Sequence, residues 1–157
     1  MNHVILQTPV PHFTAIATHT EIFQLQDYKG KNILLYFYPK DNTAGCTQQA
    51  EDFRDYHAQF NALNTVILGV SRDSLRSHQT FKMKHALPFD LISDVDEKLC
   101  QLFDVIKLKN MYGKQVRGIE RSTFLINDKG VLIHEWRKVK VANHCLAVLD
   151  FLKYTSV

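Results

Sequence analysis

The chain has 157 residues, 45% of them hydrophobic and 22% charged, with a formal net charge of +3. This length and composition predict one domain, residues 1–157, whose core is large enough to fold alone. The basic residues are scattered in runs typical of solvated faces, which disfavours a nucleic-acid surface. No stretch of about 18 apolar residues predicts a membrane span, and no basic leader precedes an apolar segment at the start.

Cysteine usage points to a reducing compartment. The three cysteines, Cys46, Cys100 and Cys145, are odd in number and widely spaced, which argues against a secreted disulfide framework. We therefore expect a soluble, cytoplasmic protein with no nucleic-acid or membrane partner.

The first half of the chain reads as strands followed by helices. Residues 13–18 and 21–26 alternate in character around a polar break, which predicts a hairpin. Residues 32–38 are a short apolar run typical of a strand buried on both faces, and Pro39 ends it. Residues 65–70 predict a second central strand, with residues 71–73 as its exit loop. Between these strands, apolar and aromatic residues recur at the spacing of a single helix: Ala50, Phe53, Tyr56, His57, Phe60 and Leu63.

The second half continues this alternation. Residues 75–86 predict a helix that Pro88 stops, and residues 89–92 predict a short strand. Asp94 is suited to cap the next helix, whose inward side chains are predicted to be Val95, Leu99, Leu102 and Phe103. Residues 122–126 and 131–137 flank a turn at 127–130 and predict a second hairpin. A last helix over 142–154 is expected to bury Leu146, Leu149, Phe151 and Leu152. The order of elements predicts an α/β sandwich with a mixed central sheet flanked by helices.

Cys46 is the residue at which we expect chemistry. It follows the buried strand and precedes the helical pattern, so it falls in the first turn of a helix. There, unpaired N–H groups and the positive end of the helix dipole favour a thiolate. The alternative is that Cys46 is a small buried apolar residue. Neighbouring Gly45, Thr43 and Pro39 favour a reactive site because they allow close backbone approach, supply a hydroxyl and shield one side.

These residues carry a family resemblance. The segment from Tyr36 to Thr47, with Pro39-x-x-x-Thr43-x-x-Cys46 at its centre, resembles the active-site signature of the peroxiredoxins. It is most similar to the bacterioferritin comigratory protein branch, also called peroxiredoxin Q. Residues 69–74, 93–94 and 121–126 extend the match over nearly the whole chain. The resemblance implies a thioredoxin-like fold of the peroxiredoxin type with an added N-terminal β-hairpin, and reduction of hydrogen peroxide and organic hydroperoxides by a thiol.

The resemblance also implies roles for individual residues. Cys46 would attack the peroxide, and Thr43 would help to hold the peroxide oxygens. Arg121 would reach the thiolate from a neighbouring strand, and Pro39 would shield Cys46 from solvent. The alternatives are a surface arginine, a helix-cap threonine and a strand-ending proline. Neither a cofactor nor a metal is expected.

The resolving thiol is where the chain departs from its relatives. Many members carry a second cysteine five residues after the first, where this chain has Glu51, and others carry it on the following helix, which here has none. Cys100 and Cys145 are expected to be packed core thiols. We therefore expect a one-cysteine cycle with an external thiol from thioredoxin, glutaredoxin or glutathione, and a monomer as in many relatives. An intramolecular disulfide from Cys46 to Cys100 or Cys145 is the lesser alternative.

Two smaller departures concern Ala44, where relatives often have proline, and Gln49, where they often have glutamate. A neutral amide at position 49 is expected to orient Arg121 more weakly than a carboxylate would.

Rival functions fit less well. A thiol phosphatase or arsenate reductase needs an arginine six residues after the cysteine, where this chain has Asp52, and no Cys-x-x-Cys motif is present. The pair His144-Cys145 is a weak signal for a metal. The serious alternative is a non-enzymatic redox sensor or holdase-like interaction module that is switched by oxidation of Cys46. Turnover separates the two, since a sensor stops after one equivalent of peroxide.

Overall fold

A computed structural model describes residues 3–155. Four residues of the predicted domain lie outside the described residues: Met1, Asn2, Ser156 and Val157. The first two also belong to the segment in which no leader is expected. The strands are β1 (Thr14–Ala17), β2 (Glu21–Gln24), β3 (Asn32–Phe37), β4 (Thr65–Ser71), β5 (Asp90–Ser93), β6 (Ile106–Met111), β7 (Lys114–Ile119), β8 (Ser122–Ile126) and β9 (Leu132–Trp136). The helices are α1 (Ala44–Asp55), α2 (His57–Ala62), α3 (Leu75–Lys84), α4 (Lys98–Leu102) and α5 (His144–Tyr154).

Seven strands form the mixed central sheet in the order β2-β1-β5-β4-β3-β8-β9. The central strand β3 is parallel to β4 and antiparallel to β8, and β4 is parallel to β5. The predicted N-terminal hairpin is confirmed: β1 pairs with β2, and it also adds to the sheet beside β5. The second predicted hairpin is β8 with β9.

The sheet separates two hydrophobic cores. All six residues of β3 are buried, and they alternate between the two faces as the pleat requires. Leu34 and Tyr36 face a core built with α1, α2, α3 and α5, whereas Leu35 and Phe37 face a core that contains α4. Cys46 belongs to the first core and Cys100 to the second, so these two thiols lie on opposite faces of the sheet.

Two helical predictions are wrong in detail. The single helix expected after Cys46 is interrupted at Tyr56, which ends α1 and precedes α2 with a non-helical ψ of 7°. The last helix begins at His144 rather than at residue 142, after Asn143 in a left-handed conformation.

Two side chains predicted to be buried face solvent instead. Val95 is 64% exposed because it lies in a turn before α4, and Leu146 is 41% exposed because Leu149 and Leu152 form the inner face of α5. The capping role of Asp94 is confirmed: its carboxylate accepts hydrogen bonds from the N–H groups of Leu99 and Cys100 at 3.0 and 2.8 Å.

The hairpin formed by β6 and β7 was not predicted. It forms a separate two-stranded sheet, and most of its side chains are exposed, although Ile106 and Leu108 alternate with Lys107 and Lys109 in β6. Arg117 of β7 ties it to the body of the protein through a bidentate ion pair with Glu97. Within residues 3–155, no helix has the length and apolar character needed to cross a bilayer.

Candidate active site

Cys46 lies in the first turn of α1, just after the connection from β3. It is the third residue of α1, and Thr43 is the N-cap. The helical N–H groups of this first turn have no carbonyl partner one turn earlier, so they point toward the space in front of the helix. Cys46 is buried, with 2% of its surface exposed. The predicted position, at the start of a helix after a buried strand, is therefore confirmed.

Arg121 reaches the sulfur from the neighbouring strand. It directly precedes β8, whose first residue Ser122 pairs with Phe37 at the end of β3, and this antiparallel register brings residue 121 to the start of α1. Its Nη2 lies 3.5 Å from Sγ of Cys46. A Cβ atom at position 45 would stand 3.4 Å from the same Nη2, so the guanidinium also lies beside the backbone of Gly45.

Gln49 holds the guanidinium in place. Nη1 of Arg121 donates to Oε1 of Gln49 at 2.7 Å, and Gln49 is only 1% exposed. The neutral amide therefore orients Arg121 without adding negative charge. Among residues 3–155, no carboxylate lies within 4.0 Å of the Arg121 guanidinium. The sulfur of Cys46 is thus the group that faces the remaining guanidinium nitrogen.

Thr43 and Pro39 form the outer part of the site. The Thr43 hydroxyl makes no capping bond to the helix but donates to the carbonyl oxygen of Lys40 at 2.9 Å. Its proton is therefore engaged, and its oxygen lone pairs are left to accept a hydrogen bond. Pro39 is half-buried, two residues beyond the end of β3. The structure thus groups all four predicted residues around the β3–α1 connection.

Two buried residues behind the site were not predicted. Burial, and next the proximity of Cys46, raises the pKa of Tyr36 well above its usual value. Burial, and next the positive charge of Arg121, lowers the pKa of His144 to about 4. Both side chains are consequently neutral near pH 7. The alternation of side chains along β3 could have suggested Tyr36, because it places Tyr36 on the same face of the sheet as Cys46. Nothing in the sequence relates His144 to Arg121.

The other two cysteines are packed core thiols, as predicted. Cys100 and Cys145 are 0% and 4% exposed. Burial, and next the negative charge of Asp94, raises the pKa of Cys100. Burial, and next the negative charge of Asp52, raises the pKa of Cys145 to about 12. Neither is poised to ionise near neutral pH.

One cluster has the residue types of a metal site. Ligand atoms of Asp41, Asp73 and His78 lie within 4.8 Å of one another. However, both ring nitrogens of His78 already contact oxygen atoms, of Asp41 at 2.7 Å and of the Ile92 carbonyl at 2.9 Å. A nitrogen engaged in this way has no free lone pair for a metal, so the cluster is better described as a hydrogen-bond network.

Comparison with known proteins agrees with this geometry. The model of the AhpC/TSA family matches residues 6–135. Peroxiredoxin Bcp of Bacillus subtilis is 58% identical over 138 residues, covering 88% of this chain and 88% of that protein. A structure of peroxiredoxin Q from Xanthomonas campestris matches with a TM-score of 0.89 and 47% identity, covering 97% of this chain and 98% of that one.

A second structure from X. campestris is of a bacterioferritin comigratory protein, from trapped intermediate/ligand complexes that concern its alkyl peroxide reduction activity. It matches with a TM-score of 0.88 and 47% identity, covering 96% of this chain and 97% of that one. The likeness to these structures confirms the predicted thioredoxin-like fold. The chain therefore belongs to the AhpC/TSA family and, within it, to the peroxiredoxin Q or bacterioferritin comigratory protein branch of the thiol-dependent peroxidases.

Proposed function

We propose that Cys46 is the attacking thiolate and that it reduces hydrogen peroxide and organic hydroperoxides. The sulfur attacks the terminal oxygen, an S–O bond forms, the O–O bond breaks, and the departing oxygen takes a proton to leave as water or an alcohol. Cys46 becomes a sulfenic acid. The observation that carries this proposal is the 3.5 Å approach of Arg121 Nη2 to Sγ at the start of α1.

Each neighbouring group has a part in this step. Arg121 stabilises the thiolate before the attack and the negative charge that grows on the peroxide oxygens during it. The Thr43 hydroxyl, whose own proton is bound to Lys40, accepts the hydrogen bond of the peroxide O–H. Pro39 covers the loop and limits the access of solvent to the sulfur.

We extend the substrate range to alkyl hydroperoxides because one structural relative was studied for its alkyl peroxide reduction activity. The openness of the loop at Thr43, Ala44 and Gly45, which are all exposed, is compatible with a substituent on the outer peroxide oxygen.

We propose that an external thiol resolves the sulfenic acid. Cys100 lies across the sheet from Cys46. The Cys145 thiol is held 3.5 Å from the carbonyl oxygen of Asp52, six residues beyond Cys46 and so about 9 Å along the helix axis. The sulfurs of a disulfide are about 2 Å apart, so either bridge needs part of the fold to open.

The external cycle balances without such a change. A first thiol condenses with the sulfenic acid and releases water, leaving a mixed disulfide. A second thiol, or the partner cysteine of a dithiol, then releases Cys46 and leaves as a disulfide. Thioredoxin, glutaredoxin and glutathione all supply this chemistry, and we propose that the chain works as a monomer with one of them.

Multiple turnovers in the presence of each reductant test the proposal. We expect the wild type and the double variant Cys100→Ser/Cys145→Ser to consume many equivalents of hydroperoxide, and Cys46→Ser to consume none. Consumption that stops after one equivalent with every reductant would instead indicate a redox sensor. Loss of turnover in the double variant, with its fold intact, would contradict the one-cysteine cycle.

A further inference from the structure

Behind the β3–α1 connection lies a buried charged network that the peroxide step does not use. Asp41, five residues before Cys46, is 3% exposed, and His78 of α3 is 0% exposed. The Asp41 carboxylate accepts hydrogen bonds from Tyr38 at 2.7 Å and from Ser77 at 2.8 Å, and its Oδ2 lies 2.7 Å from Nδ1 of His78. The backbone N–H of Asp41 donates to Asp73 at 3.0 Å.

The hydrogen-bond partners determine where the protons of this network lie. Nε2 of His78 is 2.9 Å from the carbonyl oxygen of Ile92, which can only accept. Nδ1 faces the carboxylate of Asp41, and the Tyr38 hydroxyl, 3.4 Å away, already donates its proton to that carboxylate. A neutral histidine has one N–H and could satisfy only one of the two acceptors.

Asp41 itself does not supply the missing proton. Burial acts to raise its pKa, but the hydrogen bonds that it accepts from His78, Tyr38 and Ser77 lower it overall. An ionised Asp41 leaves both protons on the ring. Among residues 3–155, the only other ionisable group hydrogen-bonded to this pair, beyond Tyr38, is Asp73, which accepts from the Ser71 hydroxyl and the Asp41 N–H.

We propose that His78 is a positioning residue of the peroxidase site: as a buried imidazolium it binds Asp41 and thereby holds the loop of Thr43 and Cys46 in its reactive geometry. This inference rests on the proposed function. The network has the connections that such a role needs, because His78 belongs to α3 and also binds Ile92 of β5. The two hydrogen bonds of the His78 ring thus connect the loop to two elements of the scaffold, α3 and β5.

Two substitutions separate the bond to Asp41 from the bond to Ile92. In His78→Asn the amide nitrogen takes the place of Nδ1 and keeps a donor toward Asp41. In His78→Gln the amide nitrogen takes the place of Nε2 and keeps only the donor toward Ile92. We expect the rate constant of Cys46 oxidation by hydrogen peroxide to fall at least about tenfold in His78→Gln, the loss expected for a bond to a charged group. We expect a clearly smaller fall in His78→Asn.

Ser93→Ala is the matched control, because the Ser93 hydroxyl donates at 2.6 Å to the Asp73 carbonyl in the same network but is hydrogen-bonded to neither Asp41 nor His78. We expect its oxidation rate to equal that of the wild type. Equal rates in His78→Gln and His78→Asn, with thermal midpoints showing both folded, would overturn the proposal. So would a rate in His78→Gln within twofold of the wild type.

A measurement on the wild type keeps the test decisive if either variant fails to fold. Nitrogen-15 NMR of the His78 ring at pH 7 should show protons on both nitrogens, and a neutral tautomer would overturn the proposal. Failure of the proposed function would appear differently, as a wild type that does not consume peroxide although its His78 ring is doubly protonated.

Discussion

Replacing Arg121 with methionine tests the electrostatic basis of the site. At 3.5 Å, a unit charge pair in an effective dielectric of about 20 attracts by about 5 kcal/mol. Solvent reaches the half-buried guanidinium and reduces this figure, and hydrogen bonds to charged groups contribute about 1.5–3 kcal/mol in proteins. We therefore expect Arg121→Met to slow the oxidation of Cys46 by about 10- to 150-fold.

The assay compares two reactions of Cys46 at pH 7, oxidation by hydrogen peroxide in competition with a reference peroxidase and alkylation by iodoacetamide. Both need the thiolate, but only the peroxide reaction also places charge on oxygens beside Arg121, so its rate should fall further. Arg117→Met is the control, since Arg117 is an exposed arginine that pairs with Glu97 away from the site. A peroxide rate in a folded Arg121→Met protein within twofold of the wild type, or an equal fall in Arg117→Met, would refute the reasoning.

Three further predictions address other contacts. Thr43→Val should lower the peroxide rate about tenfold because the accepting oxygen is lost, whereas Thr43→Ser should restore most of it; stopped-flow oxidation compares them, and equal rates would remove Thr43 from the mechanism. The hydrogen bond from Arg117 is the main reason that the pKa of Glu97 is lowered to about 2. This ion pair therefore stabilises the fold fully at a pH above the pKa that Glu97 has in the unfolded chain, and the stabilisation is lost as the pH falls toward 2. Urea unfolding should accordingly show a gap between wild type and Glu97→Gln at pH 6 that closes by pH 2, and a constant gap would contradict the ion pair. Gly69→Ala should destabilise the fold by about 1–3 kcal/mol, since a Cβ would lie 2.9 Å from the Tyr36 hydroxyl; an unchanged urea midpoint would show that the core has room there.

The parts of the fold that follow from sequence are those whose burial leaves a periodic pattern. β3 was predictable because all of its residues are buried, and the position of Cys46 followed from the end of that strand. The β6–β7 hairpin was not predicted, because its apolar alternation extends over only a few residues and most of its side chains are exposed. The interruption at Tyr56 was hidden because the apolar spacing continues through it.

The residues of the site also differ in how far the sequence could predict their positions. Thr43 and Cys46 share one turn of chain, so local spacing brings them together. Arg121 comes from a position 75 residues later, and only the pairing of β8 with β3 brings it near; family resemblance, not periodicity, predicted its place. His78 gave no signal, since one histidine in a helical pattern does not reveal which carboxylate will face it.

The central claim is that Cys46 alone carries the oxidised state of the enzyme until an external thiol arrives. Intact-mass spectrometry of the wild type after one equivalent of hydrogen peroxide, without reductant and with rapid quenching, tests it most directly. The account predicts a gain of one oxygen atom, located at Cys46 by peptide mapping. A loss of two hydrogen atoms, with Cys46 joined to Cys100 or Cys145, would contradict it.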